Sequence, residues 1–185
     1  MMVKICGITR REDAEAAAEA GASAIGFVFY PKSPRYVEPE RAAELGHGLA
    51  VWKVGVFVDE SAASLEAVMR VARLDVAQIY GGHAPAGIRV WRAFRMDSGW
   101  PPVIDGEYEA ILLDGPSNGA PFDWAKAERV AGSVIVAGGL DASNVAAAIR
   151  TLRPWGVDAS SRLESSPGIK DHRKVRAFVS AALNA

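Results

Sequence analysis

Eight short runs of β-branched and other apolar residues recur along the chain, and most are followed by an Ala/Glu/Arg-rich amphipathic stretch. This alternation limits the fold more than any other feature. The runs are Val3–Ile8, Ala24–Phe29, Val51–Val58, Val76–Tyr80, Val90–Phe94, Ala110–Leu113, Ser133–Ala137 and Val157–Ser160. Most are apolar on both faces, the pattern of a parallel sheet covered on both sides. Helices are predicted over Arg11–Ala20, Pro39–Gly46, Ala62–Ala72, Trp124–Ala131, Ala142–Leu152 and Lys170–Asn184. Gly21 is placed to end the first helix, and Asp123 to cap the one that starts at Trp124. Strands alternating with helices build right-handed βαβ units.

Two crossovers break the pattern. Residues 81–89 contain Pro85 and, before Ala86, two glycines, and residues 96–107 contain Gly99, Pro101, Pro102 and Gly106. Neither can run as an ordinary helix, so a turn or stub is expected at both. This economy fits a length of 185 residues, below the roughly 200 of the smallest ordinary eight-stranded barrels. An open doubly wound sheet is the competing architecture, and it would gather ligand groups at one switch point. Here Cys6, Arg35, Gln78, Asp114, Gly138 and Asp158 end or follow six different strands. That distribution predicts an α/β protein with one compact (β/α)8 barrel domain over residues 1–185, its helices reduced or missing after strands four and five.

Composition narrows the function classes. A net charge of -1 with no Lys/Arg run gives no footprint for nucleic acid or an anionic membrane. No apolar run approaches the roughly 18 residues of a bilayer span, and the amino terminus shows no signal-peptide core. A lone cysteine excludes an internal disulfide. Together these features predict a cytoplasmic protein. His47, His83 and His172 do not cluster with Cys or acids at metal-ligand spacing, so no metal site is expected. No Gly-x-Gly-x-x-Gly or Walker pattern indicates a nucleotide. The five tryptophans read as core or helix-packing residues rather than a stacking platform.

Several residues are placed to carry chemistry. Cys6 lies near the end of the first run. Most lone cysteines are small buried hydrophobes, but a thiolate beside cations is a competent base. Lys4 either shares its face or alternates away, depending on twist. Asp114 follows four apolar residues and must emerge at a strand end, unless it only shapes the turn before Gly115-Pro116. Asp158 alternates away from Val157 and Ala159. Gly138-Gly139 and Ser160-Ser161-Arg162 follow the seventh and eighth runs, where barrels often hold a phosphate on backbone N–H groups. Arg35 sits in a loop stiffened by two prolines and offers a fork suited to a carboxylate.

These residues fall within longer motifs: Lys-Ile-Cys-Gly-Ile-Thr (4–9), Gly-Phe-Val-Phe-Tyr-Pro-Lys-Ser-Pro-Arg-Tyr (26–36), Val-Gly-Val-Phe-Val (54–58), Leu-Leu-Asp (112–114), Phe-Asp-Trp (122–124), Ala-Gly-Gly-Leu (137–140), Gly-Val-Asp-Ala-Ser-Ser (156–161) and Glu-Ser-Ser-Pro-Gly-Ile-Lys-Asp (164–171). In content and order they resemble the phosphoribosylanthranilate isomerases of tryptophan biosynthesis. The resemblance implies an Amadori rearrangement of N-(5'-phosphoribosyl)anthranilate on a small phosphosugar site, without a cofactor. It matches Cys6 to the general base and Asp114 to the general acid. It matches Arg35 to the anthranilate end, Asp158 to the sugar hydroxyls, and Gly138, Gly139, Ser160 and Ser161 to the phosphate. Gln78 and Tyr80 are expected to bind substrate.

Three departures stand out. The family's Gln-Leu-His-Gly is here Gln78-Ile79-Tyr80-Gly81, and its Gly-Val-Glu is Arg162-Leu163-Glu164. Its glycine–lysine before Phe-Asp-Trp is Gly119 followed by Ala120-Pro121. Arg162 is expected either to fork onto the phosphate or to pair with Glu164 or Asp158. The rival readings are the related histidine-pathway isomerase, which uses an aspartate where Cys6 stands, and a phosphosugar-binding barrel without catalysis, which needs neither Cys6 nor Asp114. Oligomeric state stays open.

Overall fold

The computed structural model describes residues 1–96, 108–116, 123–124 and 130–185. Eight parallel strands close into a barrel in chain order: β1 (Met2–Cys6), β2 (Ala24–Val28), β3 (Trp52–Val58), β4 (Val76–Tyr80), β5 (Val90–Arg95), β6 (Ala110–Asp114), β7 (Val134–Val136) and β8 (Gly156–Ala159). Pairing of β1 with β8, Lys4 opposite Asp158, seals the ring and excludes the open sheet. Five helices stand among the described residues: α1 (Arg11–Glu19), α2 (Pro39–Gly46), α3 (Ala62–Val71), α4 (Val145–Leu152) and α5 (His172–Leu183). A short hairpin, β9 (Glu164–Ser166) with β10 (Ile169–Lys170), lies between β8 and α5. No described helix is long and apolar enough to cross a membrane.

Strand alternation divides the core in two. Outward residues such as Val3, Ile5, Phe27, Phe57, Ile79 and Leu113 pack under the helices. Inward residues at the amino ends, including Met2, Val54, Trp91, Leu112 and Ile135, fill the barrel floor. There Trp91 and Trp155 meet edge to face with centroids 5.8 Å apart, and Trp52 stacks on Trp155 at 6.3 Å. These three tryptophans are therefore packing residues; Trp100 lies outside the described residues.

The expected boundaries shift where local chemistry intervenes. Gly7 takes φ +76°, so β1 stops at Cys6 and not at Ile8. Ser160 falls beyond β8. Residues 141–144 form a turn, with the Asp141 N–H donating to Asn144 Oδ1 at 2.9 Å, so α4 starts at Val145 rather than Ala142. Lys170 belongs to the hairpin, so α5 starts at His172 behind the Asp171 cap. Gly21, at φ +96°, follows α1 as expected. Residues 81–89 make a helix-free crossover between β4 and β5. Most of the crossover at 96–107, of the predicted helix 124–131, and the Gly119-Ala120-Pro121 departure lie outside the described residues.

Candidate active site

Along β1, β4 and β6 the inward face runs from apolar to polar: Met2, Lys4, Cys6; Val76, Gln78, Tyr80; Ala110, Leu112, Asp114. The polar ends open into one cavity of about 410 Å³ at the carboxyl end of the barrel. Cys6, Arg35, Gln78, Tyr80, Asp114, Gly138, Gly139, Asp158, Ser160, Ser161 and Arg162 all line it.

Cys6 stands opposite Gly26 on β2. A Cβ on Gly26 would lie 2.9 Å from Cys6 Sγ and 3.1 Å from Lys4 Cε, so the glycine lets both side chains stand against the neighbouring strand. Lys4 thus shares the face of Cys6. Its fully buried ammonium donates to Asp158 Oδ2 at 2.7 Å. Burial pulls Lys4 toward the neutral form, but Asp158 and Cys6 outweigh it and keep the cation. Burial pushes the Cys6 thiol up, against the pull of Lys4.

Asp114 lines the same cavity from β6. The Tyr80 hydroxyl donates to Asp114 Oδ2 at 2.9 Å, and Gln78 Nε2 donates to the Tyr80 oxygen at 3.3 Å. Burial raises the Asp114 carboxyl from 3.8 to about 6, opposed by the Tyr80 hydrogen bond and by Arg95. Burial and Asp114 push the Tyr80 phenol well above its ordinary range, so it stays a donor. Two buried acceptors in the cavity, Gln78 Oε1 and Asp158 Oδ1, have no partner. A buried acceptor without a donor is costly, and a ligand hydroxyl would satisfy it.

The two late loops meet at the cavity's other side. Gly138, at φ +83°, admits no side chain, because a Cβ would sit 2.1 Å from the Gly115 nitrogen. Ser160 Oγ donates to the Cys6 carbonyl at 3.0 Å. Arg162 pairs with Asp141 Oδ2 at 3.1 Å, bridging the loops after β7 and β8. Arg162 therefore pairs across the two loops with Asp141 and not with Glu164 or Asp158, because β7 and β8 are neighbours in the barrel.

Arg35 brings in Glu164, which sequence reasoning sets against Arg162 and not against Arg35. Its Nε and Nη2 donate to Glu164 Oε1 and Oε2 at 2.8 and 2.6 Å. Lys170, unassigned before, donates to the same Oε1 at 2.8 Å. Arg95 was missed too; two-residue alternation from Trp91 through Ala93 marks it as inward-facing.

A closed parallel barrel with its titratable groups gathered at the strand carboxyl ends is the architecture of a TIM-barrel enzyme. Residues 3–181 match the family model for N-(5'-phosphoribosyl)anthranilate (PRA) isomerase. A protein of that name from Solibacter usitatus is 48% identical, the match covering 98% of this chain and 97% of its own. The crystal structure of a Thermus thermophilus phosphoribosyl anthranilate isomerase superposes with a TM-score of 0.91 at 37% identity, covering 100% of this chain and 99% of that one. A phosphoribosyl anthranilate isomerase in complex with reduced 1-(o-carboxyphenylamino)-1-deoxyribulose 5-phosphate superposes with a TM-score of 0.84 at 34% identity, covering both chains fully. The chain belongs to the N-(5'-phosphoribosyl)anthranilate isomerase family.

Proposed function

We propose that Cys6 is the general base and Asp114 the general acid with which this chain isomerises N-(5'-phosphoribosyl)anthranilate to 1-(2-carboxyphenylamino)-1-deoxyribulose 5-phosphate. The observation that carries the assignment is that both groups line one cavity from β1 and β6, with two unpartnered buried acceptors lining the same cavity. Asp114 protonates the furanose ring oxygen while the anilino nitrogen supplies the electron pair that opens the ring. The product is a Schiff base. Cys6 then removes the C2 proton, giving an enolamine that tautomerises to the ketose.

The proton inventory favours this division of labour only after binding. With Asp114 near 6 and Cys6 raised, the free protein at neutral pH favours the carboxylate and the thiol. The productive arrangement, carboxylic acid and thiolate, is a minor state of the free protein. A bound substrate displaces water around Asp114 and adds an anionic carboxylate, both of which favour its protonated form. Lys4 beside Cys6 favours the thiolate.

The remaining groups hold substrate. Gln78 Oε1 and Asp158 Oδ1 accept sugar hydroxyl protons. Backbone N–H groups of Gly138-Gly139 and Ser160-Ser161 take the phosphate, with Arg162 and Asp141 clasping those two loops. Arg35 meets the anthranilate carboxylate. The chain works as one barrel unit over residues 1–185, in the cytoplasm, which accords with its single cysteine.

Turnover followed by loss of anthranilate fluorescence tests the roles. Cys6→Ser and Asp114→Asn are each expected to lose at least about 10²-fold in kcat with the fold intact. Near-normal turnover by either variant removes its assignment. Alkylation of Cys6 should abolish activity, and bound product should protect against it.

A further inference from the structure

The proposed reaction gives Glu164 and Lys170 no part, yet both are buried beside the site. Glu164 accepts two hydrogen bonds from one edge of the Arg35 guanidinium. The Lys170 ammonium, wholly buried, donates to Glu164 Oε1 at 2.8 Å and to the Ser160 carbonyl at 3.3 Å. Arg35 reaches them by passing over Gly7, where a Cβ would lie 2.5 Å from Arg35 Cδ and 3.0 Å from Ser160 Oγ. The hairpin that carries Lys170 is itself anchored, its backbone N–H donating to Asp13 Oδ2 at 3.1 Å.

Charge explains why three groups are needed. A guanidinium clamped by a carboxylate alone is fixed in space but neutralised, and a neutral pair attracts an anionic ligand weakly. Adding Lys170 to the pair leaves the cluster with one net positive charge. Glu164 uses only the Nε and Nη2 edge of the fork, so the Nη1 edge keeps its donors. Fixing a side chain rich in rotamers before binding also removes an ordering cost from the binding step.

We propose that Glu164 and Lys170 are positioning residues that hold Arg35 as a rigid, still cationic receptor for the substrate carboxylate, and so set the preference for carboxylated over uncarboxylated ligands. The inference rests on the reading that Arg35 meets the anthranilate carboxylate. Ser160 extends the same framework to the phosphate loop, tying the two ends of the ligand site to one buried pair.

Calorimetry with two probes tests this: reduced 1-(2-carboxyphenylamino)-1-deoxyribulose 5-phosphate and its 1-phenylamino counterpart without the carboxylate. Arg35→Ala should weaken the carboxylated probe by about tenfold or more and the other by less than about threefold. Equal losses there overturn the reading of Arg35, and the inference with it. Given a selective loss in Arg35→Ala, Glu164→Gln and Lys170→Met should each show the same selectivity. Equal weakening of both probes in Glu164→Gln, or none in either, overturns the positioning role and leaves the reading of Arg35 standing. Should either substitution prevent folding, Glu164→Asp retains the charge on a shorter arm. It should lose the carboxylated probe selectively by a smaller factor, and an unselective or absent loss overturns the proposal.

Discussion

Replacing Asp114 with asparagine is expected to stabilise the fold at neutral pH while disabling catalysis. The carboxyl sits near 6 in the folded chain against an ordinary value of 3.8, because burial penalises its ionised form more than Tyr80 and Arg95 favour it. Below pH 3.8 both folded and unfolded chains hold the proton, and the residue is neutral to folding. As pH rises toward 6 the unfolded chain ionises first, so stability falls; above 6 the penalty is constant. That gap corresponds to a cost of up to about 3 kcal/mol at pH 7.5, and about 1.6 kcal/mol at pH 5. Asparagine fits the same space, accepts the Tyr80 hydrogen bond and does not ionise. Urea unfolding should therefore show Asp114→Asn more stable than the parent by up to about 3 kcal/mol at pH 7.5, shrinking by about 1.4 kcal/mol at pH 5. The pH dependence separates the ionisation cost from any packing effect of the new amide. A stability difference that does not change between the two pH values would refute the reasoning, because it would mean the carboxylate is not penalised by burial.

Two further predictions concern neighbours of the same cavity. Tyr80→Phe removes the donor that holds the Asp114 carboxyl down, so the acid limb of kcat/KM, expected near 6, should move to higher pH by about one unit; an unmoved limb would detach Tyr80 from the acid. Arg162→Ala should raise KM by less than about threefold with no change in salt dependence, since its exposed pair with Asp141 is worth at most about 1 kcal/mol; a KM increase above about tenfold that fades in salt would put Arg162 directly on the phosphate.

Much of this site was legible because strand alternation is a local rule. Once Cys6, Gln78, Asp114 and Asp158 are placed at strand ends, period two decides which side chains face inward. Strand twist leaves the face of Lys4 open in the sequence reading, although period two already puts residues 4 and 6 on the same side. Arg95 was missed by ending β5 one residue early. What sequence could not show was pairing across long separations. Glu164 lies 129 positions from Arg35, and nothing in either neighbourhood signals the other. The partner of Arg162 was misjudged for a related reason: Glu164 is near in sequence, but it is held by Arg35 and Lys170, while Asp141 is brought close by the adjacency of β7 and β8. The unpartnered oxygens of Gln78 and Asp158 are likewise visible only in three dimensions.

Barrel closure has a consequence for how activity arises during synthesis. Lys4 and Asp158, the ion pair beneath Cys6, are separated by 154 positions, and so are Ser160 Oγ and the Cys6 carbonyl. The first strand made is thus one of the last to find its second partner. A nascent chain that has already completed β1 through β7 still exposes one edge of β1 and leaves the Lys4 ammonium without its acid. Contacts of such long sequence separation form late because the intervening chain must first be ordered. The proposed general base is therefore present from the sixth residue onward but acquires its full electrostatic setting only when β8 and the hairpin after it emerge. A chain cut short before Gly156 would carry both proposed catalytic residues and still lack Asp158 and Lys170, two of the charges that act on Cys6.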